Sequence, residues 1–131
     1  MDSREKRDEL ARRFVRYAAR ILRLSASLPR TEEGMHVRCQ ILRSGTAPGS
    51  HYREACGAES RKDFIHKLRI GLKELYETDY WLAVIGEAAM LPQAKLTDIQ
   101  RETGELIAIL VQSINTARKN ARHAKDEIVN P

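Results

Sequence analysis

The sequence predicts an all-α fold, an up-and-down antiparallel four-helix bundle. Apolar residues recur at steps of three and four in four successive stretches, and the breaks between stretches hold proline, glycine or capping residues. No stretch alternates apolar and polar residues long enough to argue a strand, and nothing repeats at a fixed period. With 131 residues the chain is the size of one domain. Residues 1–120 are expected to form the bundle and residues 121–131 a polar, fraying tail.

In the first stretch Leu10, Phe14, Tyr17, Ile21, Leu24 and Leu28 follow alternating steps of four and three, which places them on one helical stripe. Arg12, Arg13, Arg16, Arg20 and Arg23 project from much of the other side. Pro29 cannot continue a hydrogen-bonded turn, and Thr31 can cap the next helix.

The second stretch contains LRSGTAPGSHYREA, which has the composition of a loop but keeps helical steps through Val37, Ile41, Ser44 or Gly45, Pro48, Tyr52 and Ala55. It reads as a helix whose middle is nearly stripped of bulk, so that a neighbour can approach closely. Pro48 removes one backbone hydrogen bond and crowds the carbonyl of Ser44, which predicts a kink or break at Ser44 to Ala47. A phosphate loop is excluded, because the lysine, the glycine spacing and the preceding strand are all missing.

Ser60 caps the third stretch, where Phe64, Leu68, Leu72, Leu75, Leu82 and Ile85 outline the apolar face. Asp79 falls between Leu75 and Leu82 on that face and, if buried, needs an arginine or a tyrosine hydroxyl as partner. Leu91, Pro92 and Gln93 give a short connection. Thr97 and Gln100 have the spacing of a capping box ahead of Ile99, Thr103, Leu106, Leu110, Ser113 and Ala117.

The chain carries a net charge of +5, and residues 2–30 hold nine basic and four acidic residues, so the whole excess sits in the first helical region. Its arginines are a candidate phosphate-binding surface, with Arg118, Lys119, Arg122 and Lys125 as a second patch. The plainer alternative is a solvated face laced with pairs such as Asp8–Arg12 and Glu9–Arg13. The longest apolar run, around Leu106 to Val111, is far short of the ~20 residues that span a bilayer, and the charged amino terminus is unlike a signal. No membrane contact and a cytoplasmic location are expected.

Catalytic and metal chemistry find little support. Cys39 and Cys56 would lie about 25 Å apart on a straight helix, too far to bridge, and read as buried thiols. Glu33 and His36 form a lone E-x-x-H pair without the second pair that a di-iron bundle needs. His51 and Glu54 share a helix face without a nucleophile oriented between them, and Arg53 and Glu54 are expected to pair with Glu74, Glu77 or Arg69. No metal, cofactor or enzymatic activity is expected.

The runs QILRSGTAPGSHYREA, DFIHKL and ETDYWL closely resemble the small bundle proteins encoded by intervening sequences within bacterial 23S ribosomal RNA genes. Gln40, Arg43, Ser44, Gly45, Thr46, Gly49, Tyr52, Arg53, Glu54 and Ala55 match the first run of that family's pattern, and Asp63, Phe64, Ile65, Lys67 and Leu68 match the second. Glu77, Tyr80, Trp81 and Leu82 match the third, whereas Pro48 replaces an isoleucine and His51 an asparagine. The resemblance implies a four-helix bundle that assembles into rings, commonly pentamers, with no catalytic activity. It extends distantly to accessory proteins of diversity-generating retroelements, which implies a reverse transcriptase and nucleic acid as partners in that branch.

Two functional classes therefore remain: an oligomeric scaffold or adaptor that holds RNA or DNA through a basic surface, and a structural or regulatory homo-oligomer that binds another protein. Apolar positions beyond one stripe per helix, at Tyr76, Trp81, Ile107 and Val111, suit self-assembly.

Overall fold

The computed structural model describes the backbone of residues 1–129 and the side chains of residues 1–124. Its helices are α1 (Ser3–Ala26), α2 (Glu32–Cys56), α3 (Arg61–Glu87) and α4 (Thr97–Val129), with a 3-10 turn at Gln93–Lys95 before the last. Each helix packs on its predecessor through a short connection, so the chain runs up and down as a four-helix bundle. Among the described residues no helix is long and apolar enough to cross a membrane.

Capping side chains set the helix starts. The Asp2 carboxylate accepts from the Glu5 N–H at 2.8 Å, the Thr31 hydroxyl from the Gly34 N–H at 3.1 Å and the Ser60 hydroxyl from the Asp63 N–H at 3.0 Å. The expected capping box at Thr97 does not form. Thr97 already lies inside α4 and donates to the Gln93 carbonyl at 3.0 Å, while Gln100 accepts from the Gln93 side chain at 2.8 Å. The preceding 3-10 turn fills the place that a cap would take. At the far end, α4 continues in helical conformation to Val129, past the point near Asn120 where its sequence turns polar.

The apolar stripes meet in one core. Phe14, Tyr17 and Ile21 of α1, Ile41 of α2, Leu68, Leu75 and Leu82 of α3, and Leu106 and Leu110 of α4 are all essentially inaccessible to solvent. Leu10 packs on this cluster from its edge.

Helix α2 is continuous through Pro48, so of the kink or break expected at Ser44 to Ala47 the break does not occur. Contacts on both sides support the proline turn. A Cβ on Gly45 would stand 2.7 Å from Ile21 Cγ1, and one on Gly49 would stand 2.9 Å from Phe14 Cβ, so α1 lies directly on the bare stretch. Across α2, Gly71 of α3 sits against the Pro48 carbonyl and the His51 side chain. The Ser44 and Thr78 hydroxyls are 2.9 Å apart and fully buried, and Thr78 Oγ1 also lies 2.8 Å from the Glu74 carbonyl. A hydroxyl has one proton, so Thr78 donates to that carbonyl and accepts from Ser44.

The seam between α1 and α4 is different: the backbones approach each other little, and long polar side chains span the gap. The Tyr17 hydroxyl lies 2.7 Å from that of Thr103, which donates to the Ile99 carbonyl at 2.7 Å. Arg13 Nε donates to Glu102 Oε2 at 2.8 Å, and the same guanidinium reaches Glu105. Burial pushes the Tyr17 phenol well above its usual range, while the Arg13 guanidinium holds the Glu102 carboxyl below the ordinary carboxylate value.

Two predictions follow from this packing. Gly45→Ala forces a methyl into Ile21 and is expected to cost about 1–2 kcal/mol by urea denaturation, despite alanine's better helix propensity. The same change made on top of Ile21→Ala should cost nothing; equal penalties in both backgrounds would refute the steric account. Because the Glu102 pKa is depressed in the folded state, its pair with Arg13 stabilises the protein above the carboxyl's ordinary value of 4.5 and loses that effect as the pH falls through the lowered value. Arg13→Met should therefore lower stability by about 1 kcal/mol at pH 7 and flatten its decline between pH 6 and 3, whereas parallel pH curves would show that the pair contributes nothing.

Candidate nucleic-acid interface

The five arginines expected to share one surface of α1 are sorted by the fold into three environments. Arg13 is drawn into the α4 seam and only about a quarter of its side chain is exposed (27%). Arg12 and Arg16 both hold Glu9, each at 3.0 Å. The carboxyl of Glu9 is lowered first by Arg16 and then by Arg12. The expected pairs Asp8–Arg12 and Glu9–Arg13 do not form, because Glu102 and Glu105 compete for Arg13 and Glu9 is left to its neighbours on the same face. Arg20 and Arg23 line a cleft of about 380 Å³ together with Lys95, opposed by Asp98.

The second expected patch stays together. Arg118, Lys119 and Arg122 line a groove of about 580 Å³ against Ile65 of α3, with Gln112, Asn115 and Thr116 as its other polar walls and no carboxylate among its lining residues. Lys125 lies outside the described side chains.

A third cationic cleft, of about 600 Å³, was not anticipated as a site. Arg4, Arg7 and Arg12 of α1 face Arg53 of α2 across it, and Asp8 is its one carboxylate. Arg4 and Arg7 belong to the basic excess of the first helix but lie before its apolar stripe begins. A stripe-based reading gives them no direction, although their recurrence with Arg12 along one helix was visible.

The family-pattern residues mostly brace helices rather than build a reactive centre. Arg43, not Arg53, spans from α2 to α3, where it contacts Glu74 at 2.9 Å and reaches Glu77. Glu77 also accepts from Trp81 Nε1 at 3.2 Å, and Arg43 holds its carboxyl below the usual range. Glu54 pairs with Lys67 at 3.2 Å, leaving Arg53 exposed in the cationic cleft. Thr46 donates to the Leu42 carbonyl at 2.6 Å. Tyr52 is buried with its ring 5.4 Å from that of Phe14, and burial pushes its phenol up beside Cys56. Nδ1 of His51 is buried without a hydrogen-bond partner; Glu54 Oε2, at 3.9 Å, is too far.

Several expectations are corrected. Asp79 is exposed, and its neighbour Thr78 takes the inward position, since three steps from Leu75 reach the core face and four pass it. Cys39 and Cys56 are free but exposed rather than buried. His36 is occupied against Trp81, with ring centroids 5.9 Å apart, and no cluster of potential metal ligands occurs among the described residues. Of the residues expected to form a second apolar face, Tyr76 is exposed, whereas Trp81, Ile107 and Val111 are half-buried. Tyr80, one turn beyond Tyr76, is 60% exposed.

The arrangement presents guanidinium groups in open clefts and exposed aromatic rings. No curated protein matches the chain. A crystal structure of a protein with unknown function from the S23 ribosomal protein family of Bacteroides thetaiotaomicron is similar, with 36% identity and a TM-score of 0.75. The match covers 79% of this chain and 96% of that one. The model of the family described as 23S rRNA-intervening sequence protein matches residues 7–112, a span that holds all of α1's apolar stripe and the paired runs of α2 and α3. On these matches the chain belongs to the 23S rRNA-intervening sequence protein family.

Proposed function

We propose that the protein is a non-enzymatic, self-assembling scaffold that holds RNA or DNA through phosphate contacts. The observation that carries this reading is the division of its cations. Arg12, Arg13, Arg16 and Arg43 are paired with carboxylates, yet Arg4, Arg7, Arg20, Arg23 and Arg53 have no ion-pair partner among the described side chains. A face laced with ion pairs thus accounts for only part of the basic excess. Unpaired guanidiniums grouped in clefts suit the bidentate geometry of phosphate oxygens and need no base-specific contact.

A second reading, a homo-oligomer that binds another protein, is favoured by Tyr76 and Tyr80, which expose 52% and 60% of their surfaces one turn apart on α3. Burying them between copies would supply the self-assembly that both readings share, and the family resemblance favours a pentameric ring. A reverse transcriptase enters as partner in the retroelement branch alone, marked by a neighbouring reverse-transcriptase gene with template and variable repeats.

The test is equilibrium binding of a fluorescent, structured RNA and a DNA duplex to the purified protein, with light scattering on the same samples. Binding should weaken steeply from 50 to 200 mM salt, by about tenfold or more if several phosphates are neutralised. An assembled ring with no salt-sensitive retention of either nucleic acid, even at low salt, would overturn the first reading in favour of the second.

A further inference from the structure

We infer that one end of the bundle carries a continuous phosphodiester-binding track, which joins the α1–α2 cleft to the α4 patch. This rests on the nucleic-acid reading above and adds where the strand runs. Three cavities at this end share walls in sequence. Arg7 and Cys56 line both the α1–α2 cleft and a larger cavity of about 970 Å³ over the bundle end, and Gln112 and Thr116 line both that cavity and the α4 groove. A strand leaving Arg4 and Arg53 therefore passes Arg7, Lys6 and Arg61 before it reaches Arg118, Lys119 and Arg122. The carboxylates along this path are Asp8 and Glu59.

The positions of the cations argue for a ligand. Arg4 sits in the first turn of α1, where the helix dipole already places positive charge, so it opposes the stability of its own helix. Arg53, in the last turn of α2, is favoured by the dipole and would need no further reason if it stood alone. What joins them is a cleft of about 600 Å³ with Ala11 and Cys56 as its only uncharged walls. That space exceeds what one small anion fills and suits a length of backbone. No aromatic ring lines the α1–α2 cleft or the α4 groove, so recognition there runs through phosphate and not through stacked bases. The cleft of Arg20, Arg23 and Lys95 shares no wall with these cavities and lies outside the track.

The experiment compares three double variants of the full chain, Arg4→Ala/Arg53→Ala, Lys119→Ala/Arg122→Ala and, on an exposed face of α3 away from these cavities, Arg69→Ala/Lys73→Ala, by anisotropy of a mixed-sequence single-stranded RNA titrated with salt. Thermal melts confirm that each keeps the wild-type fold. Each of the first two variants should lose about tenfold in affinity and lower the salt slope by about one per cation removed, while the third stays within about twofold of wild type. If wild type binds and only the third variant loses affinity, the track is wrong and the nucleic-acid reading stands. If just one of the first two loses affinity, the sites are separate and the continuous track is refuted. A wild type that binds at no salt concentration overturns both.

Discussion

The architecture depends on the closeness of α2 to its neighbours. Its centre, from Ser44 to Ser50, presents hardly any side-chain volume, which lets Ile21 and Phe14 of α1 rest against the α2 backbone while Gly71 of α3 brings a second backbone to the opposite side. The sequence is poor material for an isolated helix, since two glycines and a proline each lower its intrinsic stability. Packing replaces what propensity lacks. The buried Ser44–Thr78 pair then favours one height of α3 against α2, because sliding by a turn would take from the Ser44 hydroxyl its acceptor in the core, while Thr78 keeps its bond to the Glu74 carbonyl.

This arrangement changes the meaning of the most distinctive sequence runs. Arg43 comes from the first run and Glu77 and Trp81 from the third, with Arg43 and Glu77 34 positions apart, and in space they form one brace on the outer edge of the α2–α3 contact. The pattern that identifies the family is therefore largely a description of how α2 and α3 fit together. Arg53 and Tyr80, from the same runs, take no part in that fit and stand exposed.

The fold was legible because its signals are local. The stripe in α1 reports its buried face directly, and Thr31 and Ser60 announce helix starts through hydrogen bonds that span only three residues. The bareness of Ser44 to Ser50 pointed to close approach for the same reason. Charge partners were not legible, because choosing among carboxylates for Arg13 requires knowing that α4 presents Glu102 beside it, 89 positions away. Asp79 illustrates a finer limit. A rotation of one residue about the α3 axis separates a buried position from an exposed one, and spacing alone does not resolve that angle when the candidates, Thr78 and Asp79, are adjacent. The arginines at the start of α1 were visible as charge but not as a cleft, since Arg53 completes it from another helix.

The bundle's seams are also unequal. Between α1 and α2, and between α2 and α3, backbones nearly touch, so separating them would forfeit dense packing at once. Between α1 and α4 the contact is carried by Tyr17, Arg13 and their polar partners, which can exchange protein oxygens for water as they part. In terms of opening equilibria, this makes the seam between the first and last helices the line along which the closed bundle most cheaply becomes an open, curved row of helices.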